Sequence, residues 1–93
     1  MEISTKLLVL KMNMDFEDEA AESFIEGRIE VKTQIKNTFE FVTVTNKIKR
    51  MPMVESVYRT TCGIFLVDFF EGGNFPEPMD FVQDLMNKIQ GMI

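Results

Sequence analysis

Residues 53–70 read MVESVYRTTCGIFLVDFF, and this stretch decides the fold. Its two ends, residues 53–59 and 64–70, are rich in β-branched and aromatic residues, which favour strands. Between them lies the tetrapeptide Thr60-Thr61-Cys62-Gly63, whose glycine can adopt a positive φ. The pattern therefore predicts a β-hairpin.

The second strand of this hairpin is apolar on both of its faces. Its side chains alternate between two groups, with Ile64, Leu66 and Phe70 on one side and Phe65, Val67 and Phe69 on the other. A strand of this kind is buried on both sides of its sheet. Helices can cover only one of the two faces, and the other must be covered by the rest of this chain or by a second copy of it. A closed two-fold dimer is the commonest assembly of soluble proteins. We therefore expect a homodimer whose interface contains Phe65, Val67 and Phe69.

The N-terminal part predicts a strand, a helix and a second strand. Residues 6–14 are largely apolar with partial alternation, which indicates a buried strand. Residues 16–26 place Phe16, Ala20 and Phe24 at helical spacing behind a cluster of acids, and Gly27 is a common helix terminator. In residues 28–35 apolar and polar side chains alternate, which favours a half-buried strand, and a helix is the alternative.

The middle and the C-terminal end predict two further helices. In residues 38–51 the apolar side chains recur at helical spacing, Thr38 could cap the helix, and Pro52 must end it. There are two alternatives for this region. One is a hairpin across Lys36-Asn37, which the frequent β-branched and aromatic residues favour, and the other is one long helix through residues 28–51. The last helix is predicted to follow Pro76 and Pro78 and to run to about Gln90.

These elements give the order β-α-β-α-β-β-α in a single domain, residues 1–93. Such an order is typical of an α+β fold, ferredoxin-like or related, in which a mostly antiparallel sheet carries helices on one face.

Residues 48–93 resemble a known family through two segments, IKRMPMVESVYRTTCGIFLVDFF and MDFVQDLMNKIQGM. They look like the ligand-sensing and dimerisation domain of the leucine-responsive and asparagine-operon transcription regulators. The matching residues are Pro52, Val54, Tyr58, Gly63, Phe81, Val82, Ile89 and Gly91. The resemblance implies a ferredoxin-like topology and dimers that form through the sheet. It also implies an amino-acid-like effector near the turn, at Thr60, Thr61 and Gly63.

Acidic and basic residues are concentrated in different parts of the chain. The formal net charge is −5, residues 15–30 contain seven acids against Arg28, and residues 31–59 contain six cations against two acids. An acidic chain is a poor direct binder of nucleic acid, because that affinity comes from lysine and arginine contacts to phosphates. The outer face of the predicted acidic helix is a candidate partner-binding surface, and the ordinary interpretation is a solvated face. Its residues are Glu17, Asp18, Glu22 and Glu26.

The sequence offers little catalytic chemistry. Histidine is absent and Cys62 is the single cysteine, so the commonest general base and the usual zinc or iron-sulfur ligand sets are missing. We expect neither enzymatic activity nor a cofactor. The longest apolar run near the start, residues 7–10, is too short for a signal sequence or a membrane span. One unpaired thiol fits a reducing compartment, so we expect a cytoplasmic protein with no membrane association.

Three functional hypotheses follow. The first is a non-enzymatic interaction or regulatory module that dimerises and binds a protein partner. The second is a small acidic inhibitor that mimics nucleic acid and occupies the groove of a nucleic-acid-processing protein. The third is a domain that senses an amino-acid-like effector.

Overall fold

The computed structural model describes residues 3–13, 23–61 and 63–93. Its elements are β1 (Ser4–Asn13), β2 (Phe24–Lys32), α1 (Thr38–Lys49), β3 (Val54–Thr61), β4 (Ile64–Gly72) and α2 (Pro78–Gly91). The four strands form one antiparallel sheet in the order β1-β2-β4-β3. The fold is therefore α+β, as the sequence predicts, and β4 is one of the two central strands.

The predicted hairpin is confirmed as β3 and β4, and its turn is held by the segment that follows β2. The carbonyl oxygen of Gly63 accepts hydrogen bonds from the backbone N–H of Thr33 at 2.7 Å and from its Oγ1 at 2.9 Å. Gly63 has a φ of 77°, and a Cβ at this position would lie 2.6 Å from the carbonyl oxygen of Thr33. Glycine is required here for both its conformation and its size.

The core lies between one face of the sheet and the two helices. The inward side chains of β2 are Ile25, Ile29 and Val31, those of β4 are Phe65, Val67 and Phe69, and the helices add Phe41, Val44, Ile48, Val82, Leu85, Met86 and Ile89. The rings of Phe41 and Phe65 meet edge to face with centroids 5.4 Å apart. The prediction that helices cover one face of the sheet is confirmed.

The predicted helix over residues 16–26 is wrong at its C-terminal end. Residues 14–22 lie outside the described part of the chain, but β2 begins at Phe24, so residues 24–26 are strand. Ile25 is fully buried on the same face as Ile29, so the alternation of β2 begins before Gly27. Residues 24–26 also pair with both β1 and β4. Cross-strand pairing here outweighs the helical spacing of Phe24 with earlier residues. The described elements thus run β-β-α-β-β-α, with two helices, so the predicted order β-α-β-α-β-β-α is not confirmed.

Gly27 lies in the middle of β2 and does not end a helix. A Cβ at this position would collide with the carbonyl oxygen of Val9 and would come within 2.7 Å of the Phe69 ring. The pairing of β1 with β2 shifts register between Leu7 and Val9, and this irregularity lies beside the glycine. Gly27 is thus a point of close approach between two strands and a core aromatic ring.

The two remaining helices are confirmed, with one change at a cap. α1 begins after Asn37, whose Oδ1 accepts hydrogen bonds from the N–H groups of Phe39 at 2.8 Å and Glu40 at 3.2 Å. Asn37 therefore caps the helix in place of Thr38. A hairpin across Lys36-Asn37 and a single helix through residues 28–51 are both wrong, because β2 and α1 are separate elements there.

We predict that Gly27→Ala lowers the free energy of unfolding by about 1–3 kcal/mol, the usual cost of overfilling a packed core. Gly72→Ala is the matched control, because Gly72 is also a strand glycine and has no atom within 4 Å of the added Cβ. Urea denaturation followed by circular dichroism measures both variants. Equal stabilities of the two variants would contradict the close approach at Gly27.

Candidate interaction surface

One face of the sheet is left uncovered by the described elements, because both helices pack against the other face. The register of the strands and the alternation of side chains define this surface, which we call the open face. It consists of Lys6, Val9, Lys11, Phe24, Glu26, Arg28, Glu30, Lys32, Ser56, Tyr58, Ile64, Leu66, Asp68 and Phe70.

Apolar side chains on all four strands contribute to the open face. Phe24 and Phe70 stack with ring centroids 5.4 Å apart. Phe70 is 38% exposed, Val9 44% and Tyr58 49%. Leu66, on the central strand between them, is half-buried. These side chains belong to the apolar part of the open face.

An ion pair occupies the centre of the open face. Arg28 and Asp68 are direct partners in the pairing of β2 with β4. Nε of Arg28 lies 2.7 Å from Oδ1 of Asp68, and Nη2 lies 3.0 Å from Oδ2. The guanidinium also lies 5.8 Å from the centroid of the Tyr58 ring. A two-point contact of this kind fixes the orientation of both side chains.

The ion pair affects the pKa of Arg28. Hydrogen bonding to Asp68, followed by the negative charge of the same carboxylate, raises the pKa of Arg28 above its ordinary value. The two side chains remain 42% and 21% exposed, so solvent screens their attraction. The pair therefore serves mainly to place a fixed positive and a fixed negative group side by side at the centre of the open face.

A shallow depression of about 180 Å³ lies beside the ion pair. Val9, Lys11, Glu26 and Glu55 line it, and Gly27 contributes backbone alone. Lys11 faces Glu26, and Lys6 faces Glu30, across the pairing of β1 with β2. Charges of both signs therefore alternate over the open face.

The residues predicted as a dimer interface lie on the opposite side of the sheet. Phe65, Val67 and Phe69 are at most 1% exposed and pack beneath the helices. A second copy could reach them only by displacing α1 and α2, so their assignment to a dimer interface is wrong. The side of β4 that stays accessible carries Leu66 and Phe70.

One of the four residues of the predicted acidic surface lies in the described part of the chain. Glu17, Asp18 and Glu22 lie outside the described residues. Glu26 lies on β2, opposite Lys11, and takes part in the open face. It therefore does not belong to the outer face of a helix.

The predicted effector residues lie together at the β3–β4 turn, and much of their hydrogen-bonding capacity is already used. Gly63 is buried and its carbonyl oxygen accepts from Thr33. Thr60 donates from Oγ1 to the carbonyl oxygen of Ile64 at 3.2 Å. Thr61 is exposed at the end of its strand.

The central ion pair is the feature that the sequence did not reveal. Asp68 interrupts an apolar strand, and a charged side chain in such a position indicates that it has a polar partner. Arg28 lies 40 residues earlier, and only the register of β2 against β4 makes it the partner.

Within the described ranges, no group of three or more His, Cys, Asp or Glu side chains could hold a metal ion. No helix among those residues is long and apolar enough to span a bilayer.

We predict that the Arg28–Asp68 pair couples more strongly than an exposed ion pair on a helix. A double-mutant cycle with Arg28→Ala and Asp68→Ala isolates the interaction, and the Asp84–Lys88 pair of α2, which is 3.0 Å long, is the control. We expect the effects of Arg28→Ala and Asp68→Ala on the free energy of unfolding to depart further from additivity than those of the control pair. The reason is that Asp68 is more buried than Asp84. Equal coupling in the two cycles would contradict a fixed pair at the centre of the sheet.

Comparisons with protein-family models, with curated proteins and with solved structures give no match for this chain.

Proposed function

We propose that this chain is a non-enzymatic interaction module that forms a two-fold dimer through the open face and binds a protein partner. The observation that carries the proposal is the open face itself, where half-exposed apolar side chains surround the Arg28–Asp68 pair. Burying such side chains contributes about 25 cal/mol for each Å² of apolar surface removed from water. A second copy is the simplest source of a covering surface.

The charges of the open face favour its own copy as the occupant. It holds four cations and three carboxylates, and Glu55 beside it adds a fourth carboxylate. The surface is thus balanced, although the chain as a whole carries −5. A two-fold axis brings one patch onto the same patch of the partner, so a balanced surface can pair cations with carboxylates and avoid repulsion.

Within this proposal we assign the sheet to the ferredoxin-like class, with its last strand moved to the start of the chain. Ferredoxin-like order is β-α-β-β-α-β. From β2 onward the chain runs β-α-β-β-α, and β1 pairs with β2 at the edge of the sheet. Moving β1 behind α2 would reproduce the ferredoxin-like order. The resemblance of residues 48–93 to the regulator domain is consistent with this assignment.

The two other hypotheses have less support. An acidic inhibitor requires a row of carboxylates, but Glu26 faces Lys11 across the sheet. An effector near the turn requires free polar groups, but Gly63 and Thr60 already bond to Thr33 and Ile64. The open face therefore remains the stronger basis for a function.

We predict that the protein has twice its chain mass of 10.8 kDa in solution at high micromolar concentration. Leu66→Glu and Phe70→Glu should each yield monomers, because they place a new charge in the apolar part of the interface. Size-exclusion chromatography with light scattering gives the masses, and circular dichroism checks the fold.

Met79→Glu is the matched control for this experiment. Met79 is an apolar residue of α2 that is 53% exposed and does not belong to the open face. This variant should remain dimeric. A monomeric wild type at the same concentration, or a dimer that persists in both open-face variants, would overturn the proposed assembly.

We predict that a circular permutant in which β1 follows α2 folds cooperatively. Gln90 Nε2 donates to Thr5 Oγ1 at 3.1 Å, so the start of β1 and the end of α2 are close and a short glycine-serine linker can join them. The permuted chain would begin at residue 14 and end at Asn13, so that it keeps every residue. A cooperative urea transition is the expected result, and a permutant without one would contradict the ferredoxin-like assignment.

A further inference from the structure

A second surface lies on the outer side of α1, away from the open face. We call it the α1 stripe, and it consists of Phe39, Val42, Thr43, Asn46, Lys47, Lys49 and Arg50. These positions recur every three or four residues and so form one continuous band along the helix. The buried band of the same helix is formed by other residues, namely Phe41, Val44 and Ile48.

The N-terminal half of the α1 stripe is apolar and exposed. Phe39 is 81% exposed, more than any other large apolar residue among those described, and Val42 is 47% exposed. Phe39 lies one turn before Thr43, whose Oγ1 donates to its carbonyl oxygen at 2.9 Å. An aromatic side chain in this position can act as an anchor that a partner buries.

The C-terminal half of the α1 stripe is basic. Lys47 and Arg50 line a depression of about 180 Å³ together with Thr43 and Asn46. Lys47, Lys49 and Arg50 form no ion pair with any residue in the described ranges. Three positive charges exceed the roughly half negative charge at the C-terminal end of a helix. This half of the stripe therefore attracts anions.

The local charge contrasts with that of the whole chain. Residues 36–50 contain four cations and a single acid, Glu40, whereas the chain carries −5. We propose that the α1 stripe docks an acidic amphipathic segment of a partner protein. The apolar side chains of that segment pack on Phe39 and Val42, and its carboxylates meet Lys47, Lys49 and Arg50. This inference names the partner chemistry for the protein-binding half of the proposed function, and it does not depend on the dimer.

The observations favour an acidic polypeptide over other anionic partners. Nucleic acid binding depends on many phosphate contacts, and the three cations at this end of α1 supply few of them. Binding to an anionic membrane needs a larger basic cluster and a broader apolar face than one phenylalanine and one valine. A short amphipathic segment that carries both apolar and acidic side chains can contact the apolar and the basic half of the α1 stripe together.

The test is a selection of peptides from a random phage-displayed library on immobilised wild-type protein. We expect the enriched peptides to combine several acids with one or two large apolar residues. Their affinity, measured by fluorescence anisotropy, should fall at least about tenfold in the triple variant Phe39→Ala, Lys47→Glu and Arg50→Glu, and it should weaken as salt screens the charges.

A double variant of α2 is the matched control. Met79→Ala with Lys88→Glu removes an exposed apolar residue and reverses a cation on the other helix, and the affinity should stay within about twofold. Circular dichroism verifies that both variants are folded. Enriched peptides that lack acids, or that bind the triple variant as well as the wild type, would overturn the proposal.

Two further measurements separate the alternatives. Binding of phosphatidylserine vesicles or of an RNA oligonucleotide that is lost in the triple variant, with no acidic peptide selected, would contradict the polypeptide assignment. Peptide binding by monomeric Leu66→Glu would support the docking site even if the dimer proves wrong. A dimeric protein that selects no peptide would refute the docking site alone.

Discussion

The antiparallel pairing of β2 with β4 is the constraint on which the rest of the structure depends. It joins segments that are about 40 residues apart and places their partners in one register. Ile29 and Val67 are then directed towards the helices, while Arg28 and Asp68 are directed the other way. A slip of one residue would exchange the two faces and place charges in the core, so the core and the open face are specified together.

The two faces of the sheet differ in residue composition, because one packs against the helices and the other is left uncovered by the described elements. The inner face meets α1 and α2 and contains only apolar residues among its fully buried members. The open face combines apolar side chains with charges of both signs, a composition that suits a surface exposed in the monomer and covered in a complex. The α1 stripe is separate from it, so the dimer and an acidic partner could be bound together.

Much of the fold follows from the sequence because its strongest patterns are local. The β3–β4 hairpin, α1 and α2 each depend on spacing, caps or turn residues within a short segment. Gly27 and Phe24 were misassigned because their surroundings come from distant residues, Val9 and Phe69 for the glycine and Phe70 for the phenylalanine. The candidate site likewise depends on contacts between distant parts of the chain. The alternation of β4 predicts two apolar faces, but which face the helices cover is a tertiary property.

The central claim is that the face carrying Leu66 and Phe70 meets a second copy, and isotope-filtered NMR tests it most directly. A sample mixing labelled and unlabelled chains reports only nuclear Overhauser effects between protomers. The account predicts such effects at Leu66, Phe70 and Tyr58, and none at Phe65 or Val67, which belong to the core of each protomer. Effects confined to the helices or to the outer edge of β1, with none on the open face, would contradict the account.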